Sequence, residues 1–226
     1  MTIELNSERH INIPTMTADA AFLSDMEEYD DLKTVKTYSK GDQIFREGEE
    51  VDRLICIYEG SGKMVSYDAG GKEVIYGFFR DGEAFWGSFF ERERRYRFSA
   101  VCLSDTVVYE YPRSAVEKMM ICNQNIFLEI IESLSCQLRD ADEKIAVLSA
   151  PTPEERLAGF FLHSFRRSKD GTVVRRLDDI SGAINLRQET VSRYIQRFVR
   201  EGYIKKTAQS SFVIRNAEGL RKIFLR

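Results

Sequence analysis

The sequence predicts an α+β chain in three parts: an N-terminal antiparallel β-roll of the jelly-roll type, a long helix, and a C-terminal winged helix-turn-helix. Three observations predict it. Short β-prone runs punctuated by glycines at 41, 48, 60, 70, 71 and 82 fill the first half. A heptad seam follows, in which Phe127, Ile131, Leu134, Leu138, Ala141, Ile145 and Leu148 succeed one another at alternating steps of 4 and 3. Finally, LDDISGAINLRQETVSRYIQRFVR, from Leu177 to Arg200, has the apolar spacing of two short helices meeting at a tight turn. The expected divisions are residues 1–122, 123–150 and 151–226.

In the first part, strands are expected at Leu54–Tyr58, Met64–Tyr67, Val74–Phe79, Phe98–Val101 and Thr106–Tyr111, with Asp68–Lys72 as a hairpin tip. A helix is expected from Asn123 to Ser149, its seam suited to a parallel homodimer and its Ile126 and Ile130 facing the roll. Pro151 and Pro153 interrupt the pattern and mark a hinge, after which Glu154–Phe165 starts a new helix.

In the third part, Leu177, Ile180, Ala183 and Ile184 give one helix its buried stripe, and Val191, Ile195 and Phe198 give the next helix another. Asn185 between them tolerates the left-handed conformation that the turn requires. Gln188, Glu189, Ser192 and Arg193 then share the opposite face of the second helix. Arginine can donate twice to guanine, glutamate can accept from cytosine and glutamine can pair with adenine, so this face suits base edges in a major groove. Arg187, Thr190, Arg197 and Arg200, with Lys205 and Lys206, suit phosphates. Tyr203 to Lys206, a polar turn at 208–211 and Phe212–Ile214 read as a hairpin wing.

Charge agrees by its distribution rather than its total. The net is −3 and the isoelectric point about 5.6, yet residues 152–226 carry 16 Lys plus Arg against 8 Asp plus Glu, whereas residues 1–151 carry 17 against 28. A basic C-terminal part attracts a phosphate backbone, and an acidic N-terminal part stays away from it. No apolar run approaches the roughly 18–20 residues that span a bilayer, and Met1–His10 lacks a signal-peptide core, so a cytoplasmic location is expected. Cysteines at 56, 102, 122 and 136 show no metal-ligand spacing.

Glu189-Thr190-Val191-Ser192-Arg193 matches the Glu-Thr-x-x-Arg core of recognition helices in the cyclic AMP receptor protein and FNR (CRP/FNR) family of bacterial transcription regulators, which this chain resembles over about residues 32–215. Ser between Thr and Arg is closer to the FNR branch. The resemblance implies that Glu189, Ser192 and Arg193 read a TGA-like half-site core, that the roll is of the cyclic-nucleotide-binding kind, and that RNA polymerase is a partner. In cyclic-nucleotide-binding members a Glu meets the ribose and an Arg the phosphate. Here the Glu position falls near Ser88 and the Arg position on Phe98, and the hydroxyl pair that would meet the adenine from the long helix is replaced by Ala141 and Asp142. Without the guanidinium the phosphate has no bidentate partner, so cyclic AMP is not expected.

An FNR-type iron-sulfur cluster needs closely spaced cysteines, and none precedes Cys56. The two histidines, His10 in the N-terminal tail and His163 in the C-terminal domain, each read as a surface or packing residue, so neither haem nor a bound metal is expected, and the chain is expected to need no cofactor. Three effector readings stay open: an apolar small molecule among Phe78, Phe85, Trp86, Ser88, Phe89, Phe98 and Ser99; redox control through Cys102 or Cys136; or no ligand. No nucleophile, base and orienting group assemble at a recognisable spacing, so the chain is not expected to be an enzyme. The expected function is a homodimeric, sequence-specific DNA-binding regulator. The alternative is a ligand-responsive signalling module acting through protein contacts.

Overall fold

Alternation of apolar and polar residues in the first half produces two antiparallel sheets in the computed structural model, which describes residue 29, residues 31–168 and residues 172–225. One sheet has the order β1 (Thr34–Tyr38), β7 (Thr106–Pro112), β3 (Arg53–Glu59). The other runs β2 (Gln43–Phe45), β6 (Ser99–Cys102), β4 (Ser61–Tyr67), β5 (Glu73–Arg80). Leu54, Cys56, Phe79, Ala100 and Val108 point between the sheets, with Trp86 and Phe89 of a five-residue helix, α1 (Trp86–Phe90), packed into the same core.

The expected hairpin tip forms at Asp68–Lys72. The Asp68 carboxylate accepts from the backbone N–H groups of Gly70 and Lys72, both at 2.9 Å, and Gly71 takes a φ of +78° that only glycine adopts without strain.

After α2 (Arg113–Cys122), Asn123 accepts from the Asn125 N–H and starts α3 (Gln124–Ser149), within one residue of the expected start. The 26 residues of α3 make a rod of about 39 Å. One of its faces belongs to this chain: Ile126 and Ile130 enter the roll core, Gln137 donates to the Ala84 carbonyl, and Val147 enters the core of the C-terminal domain. The seam faces elsewhere. Ile131, Leu138 and Ile145 are 58%, 65% and 62% exposed and Phe127 is also exposed, as is Ala141, while Leu134 and Leu148 are half-buried.

The break at Pro151 is short. Thr152 and Glu155 form a reciprocal capping box, Pro153 takes the first helical position, and α4 (Pro153–Arg166) begins. Then come β8 (Thr172–Val174), α5 (Leu177–Ile184), α6 (Gln188–Arg200), β9 (Ile204–Ala208), β10 (Ser211–Ile214) and α7 (Ala217–Phe224). β8, which the sequence reading lacks, pairs with β10 and makes the wing a three-stranded sheet. α7 buries Leu220 and Ile223 against α4, where Gly159 admits the Phe224 ring.

The two cores meet. Val65 and Ile75, on the outer face of the roll's second sheet, share an apolar cluster with Ile180, Ala183 and Val147. Among the described residues no helix is long and apolar enough to cross a membrane.

Closeness of the strands tests this packing at Gly62, where a Cβ would stand 2.0 Å from Phe79 Cζ and 2.3 Å from the Val101 carbonyl oxygen. Gly62→Ala is expected to lose about 2–3 kcal/mol of stability, read as a lower urea midpoint by fluorescence of Trp86, the sole tryptophan.

Candidate nucleic-acid interface

The turn between α5 and α6 rests on Asn185, which has φ 51° and ψ 51° and donates its N–H to the Ser181 carbonyl. Its left-handed backbone lets Leu186 N–H also reach Ser181, at 3.0 Å, so α6 starts at a fixed angle to α5. Val191, Ile195 and Phe198 are buried, as their spacing predicts.

What stays outside is the expected reading face. Gln188, Glu189 and Arg193 are exposed and Ser192 is half-exposed. The Arg193 guanidinium lies 5.4 Å from the Tyr194 ring centroid, and no ion pair to a described residue holds it. Arg187, at the N-cap of α6, makes no side-chain cap, so the first-turn N–H groups are not closed off by a capping side chain.

The flanking cations divide. Arg187, Arg200, Lys205 and Lys206 are exposed and Thr190 is half-exposed. Arg197 is engaged within the protein, 2.7 Å from Glu201 and 3.1 Å from Glu154, and so tethers α6 to α4 rather than standing ready for a phosphate. Nothing in the sequence places Glu154 beside Arg197, because the contact is long-range. Lys205 and Lys206 are consecutive strand residues and emerge on opposite faces of the wing. Lys206 pairs with Phe212 and lines a groove of about 500 Å³ between α6 and the wing, together with Ser192, Gln196, Arg200 and Gln209. The sequence reading missed Gln196 and Gln209, which only the closure of the wing onto α6 brings to this groove.

The roll interior is filled by its aromatics. Phe45 stacks on Tyr96 at 3.7 Å and meets Phe85 edge-on at 4.8 Å, while Phe79 and Phe98 close around Phe85. Ser88 and Ser99 are buried, and the Ser99 hydroxyl accepts the Glu47 N–H at 3.0 Å. Phe98 brings an uncharged ring to this cluster. Phe78 leaves the expected pocket set: adjacent strand residues face opposite ways, so Phe79 enters the roll while Phe78 packs on the C-terminal domain, 4.2 Å beneath the Arg175 guanidinium. Burial pulls Arg175 down to about 10.

Cys102 is buried, and desolvation pushes its thiol up, the opposite of what a reactive thiolate needs. Cys136 is half-buried with the Arg139 guanidinium 3.4 Å away. His163 is a packed, partnered residue. Its Nδ1 lies 2.7 Å from Glu143, burial lowers its pKa, and Asp140 joins them. Arg166 contacts both carboxylates and Arg167 contacts Asp140, so every oxygen of the two acids already meets a cation or His163. The cluster is an ion-pair network joining α3 to α4. His10 lies outside the described residues.

A domain model for the cyclic nucleotide-binding domain matches residues 35–122, and one for the Crp-like helix-turn-helix domain matches residues 155–223. The chain is 27% identical over 191 residues to the transcriptional activator protein FnrA of Stutzerimonas stutzeri, covering 81% of this chain and 78% of that one. It is 25% identical over 180 residues to the fumarate and nitrate reduction regulatory protein of Escherichia coli strain K12, covering 76% and 72%. Among solved structures, FixK2 from Bradyrhizobium japonicum superposes with a TM-score of 0.75 at 25% identity, covering 84% and 96%.

The turn offers a direct test. Asn185→Val, which forces a β-branched residue into left-handed backbone, is expected to lower stability by about 1–2 kcal/mol, whereas Asn185→Gly keeps it; equilibrium denaturation separates the two.

Proposed function

The chain belongs to the CRP/FNR family of DNA-binding transcription regulators, and from that premise we propose that it acts as a homodimer on a near-palindromic promoter site. One observation carries the proposal: Gln188, Glu189 and Arg193 stand exposed on one side of α6 while its other side is locked into the domain core. Glu189, Ser192 and Arg193 read base edges, with Gln188 at the outer base. Arg187, Thr190, Arg200, Lys205 and Lys206 hold phosphates.

Dimerisation follows from α3. Its exposed stripe of Phe127, Ile131, Leu138, Ala141 and Ile145, with Leu134 and Leu148 at its margin, is the heptad seam that the sequence predicts. Large apolar side chains in that register bury themselves against a second copy, and a two-fold axis along the seam places two reading heads on successive major-groove turns about 34 Å apart. RNA polymerase is the partner through which a promoter-bound dimer acts, and the cytoplasm is where it meets DNA.

The roll responds to something other than cyclic AMP, or works without a ligand. The support is local: Phe98 and Ser88 occupy the positions of the phosphate and ribose partners, and the Ser99 hydroxyl is already engaged by the Glu47 N–H. The activity is regulation rather than catalysis.

Selection of bound duplexes from a random library tests the whole reading, since a recovered motif with two inverted half-sites is expected and no recovered preference would overturn it. Arg193→Ala is expected to remove roughly 1–3 kcal/mol of discrimination at one base pair per half-site; an equal loss on random DNA would make it a phosphate contact instead. Leu138→Lys is expected to shift the protein toward the 26.2 kDa monomer in sedimentation and to weaken binding to the two-fold site.

A further inference from the structure

Strand β5 is contacted by two helices from beyond the roll. From α3, Lys144 donates to the Ile75 carbonyl, and burial of that ammonium lowers its pKa to about 8. Gly182 of α5 lies so close to the Ile75 side chain that a Cβ there would stand 2.9 Å from Ile75 Cδ1, with nothing but Ile75 within 4 Å. At the hairpin tip, Lys72 donates to the Asn185 side chain at 3.0 Å.

Between these contacts sits a charged group out of place on apolar terms. The Asp179 side chain, in the first turn of α5, is 4% exposed, and the cation facing it comes from the roll: Lys63 Nζ of β4, 14% exposed, lies 3.2 Å from Asp179 and 2.7 Å from Glu73. A buried carboxylate that loses its cation is strongly destabilising where it stands, the more so with a second carboxylate nearby. Arg175 also acts on Asp179 electrostatically but forms no ion pair with it, so without Lys63 the carboxylate regains a close partner most readily by moving α5 off β5. α5 and α6 share one turn, so the reading head would move with it.

We propose that Lys63 is a positioning residue for DNA recognition: by pairing with Asp179 it clamps the DNA-binding domain to the β4–β5 hairpin and so sets the tilt of the reading head against the dimer helix. The inference rests on the dimeric, DNA-reading function above. In a clamped dimer both heads hold their relative orientation before they meet DNA, and the second half-site is engaged at high effective concentration. In an unclamped dimer each head still fits its own half-site, but the pair arrives out of register.

The test uses the full-length protein and two duplexes, one with both half-sites of the selected motif and one with a single half-site scrambled. Lys63→Met is expected to weaken binding to the two-fold duplex at least tenfold while the single half-site changes less than twofold. The double reversal Lys63→Glu with Asp179→Lys is expected to recover part of the loss, because it restores the ion pair across the junction while leaving Glu73 beside a second carboxylate. Gly182→Leu keeps every charge and wedges α5 from Ile75, so it is expected to give the same split; it decides the matter if Lys63→Met does not yield folded protein. Unchanged two-fold binding in these variants, or a parallel fall on both duplexes, would overturn the clamp. A wild-type protein without preference for either duplex would instead overturn the DNA-reading function itself.

Discussion

Helix α3 has one apolar face that its own chain covers and another that it does not, and the architecture depends on that division. Ile126, Ile130 and Val147 bind the rod to both cores, so the roll and the C-terminal domain share a common spine. Ile131, Leu138 and Ile145 remain in water for a single chain. In the proposed dimer the hydrophobic effect draws a second copy onto this stripe, so the rod that joins the two cores would also join the two chains.

The second dependence is electrostatic. Three carboxylates at the junction of the domains, Glu83, Asp140 and Asp179, each meet a cation across an element boundary, from Arg167 for the first two and Lys63 for the third. Such pairs add little net stability compared with apolar packing, but an unmatched member is costly, so they favour one arrangement over its neighbours. That is the property a molecule needs if the geometry of its two reading heads is its function.

Much of this was legible in the sequence wherever a period was long enough. The α3 seam, the α5–α6 pair around Asn185 and the Asp68–Lys72 hairpin tip all follow from local chemistry and stand where that chemistry puts them. The longer elements β1, α2 and α7 were missed, and so were elements too short to show a period. β2 and β8 have three residues each, and α1 is five residues without a polar face. Long-range pairings were equally invisible. Arg197 looks like a phosphate ligand until α4 brings Glu154 to it, and Phe78 looks like a companion of Phe85 until the pleat turns it outward. The basic pair of the wing reads as one patch in sequence, whereas a strand sends Lys205 and Lys206 to opposite sides.

The capping box at Thr152 carries a mechanical consequence. Pro151 and Pro153 each lock a φ angle, and the Thr152 side chain is held by the Glu155 N–H while its own N–H is held by Glu155. Few soft torsions remain between rod and reading domain, so any tilt of that domain is confined to a small number of backbone angles. With so few angles free, the directions in which the reading domain can swing are set by the chain itself rather than by chance.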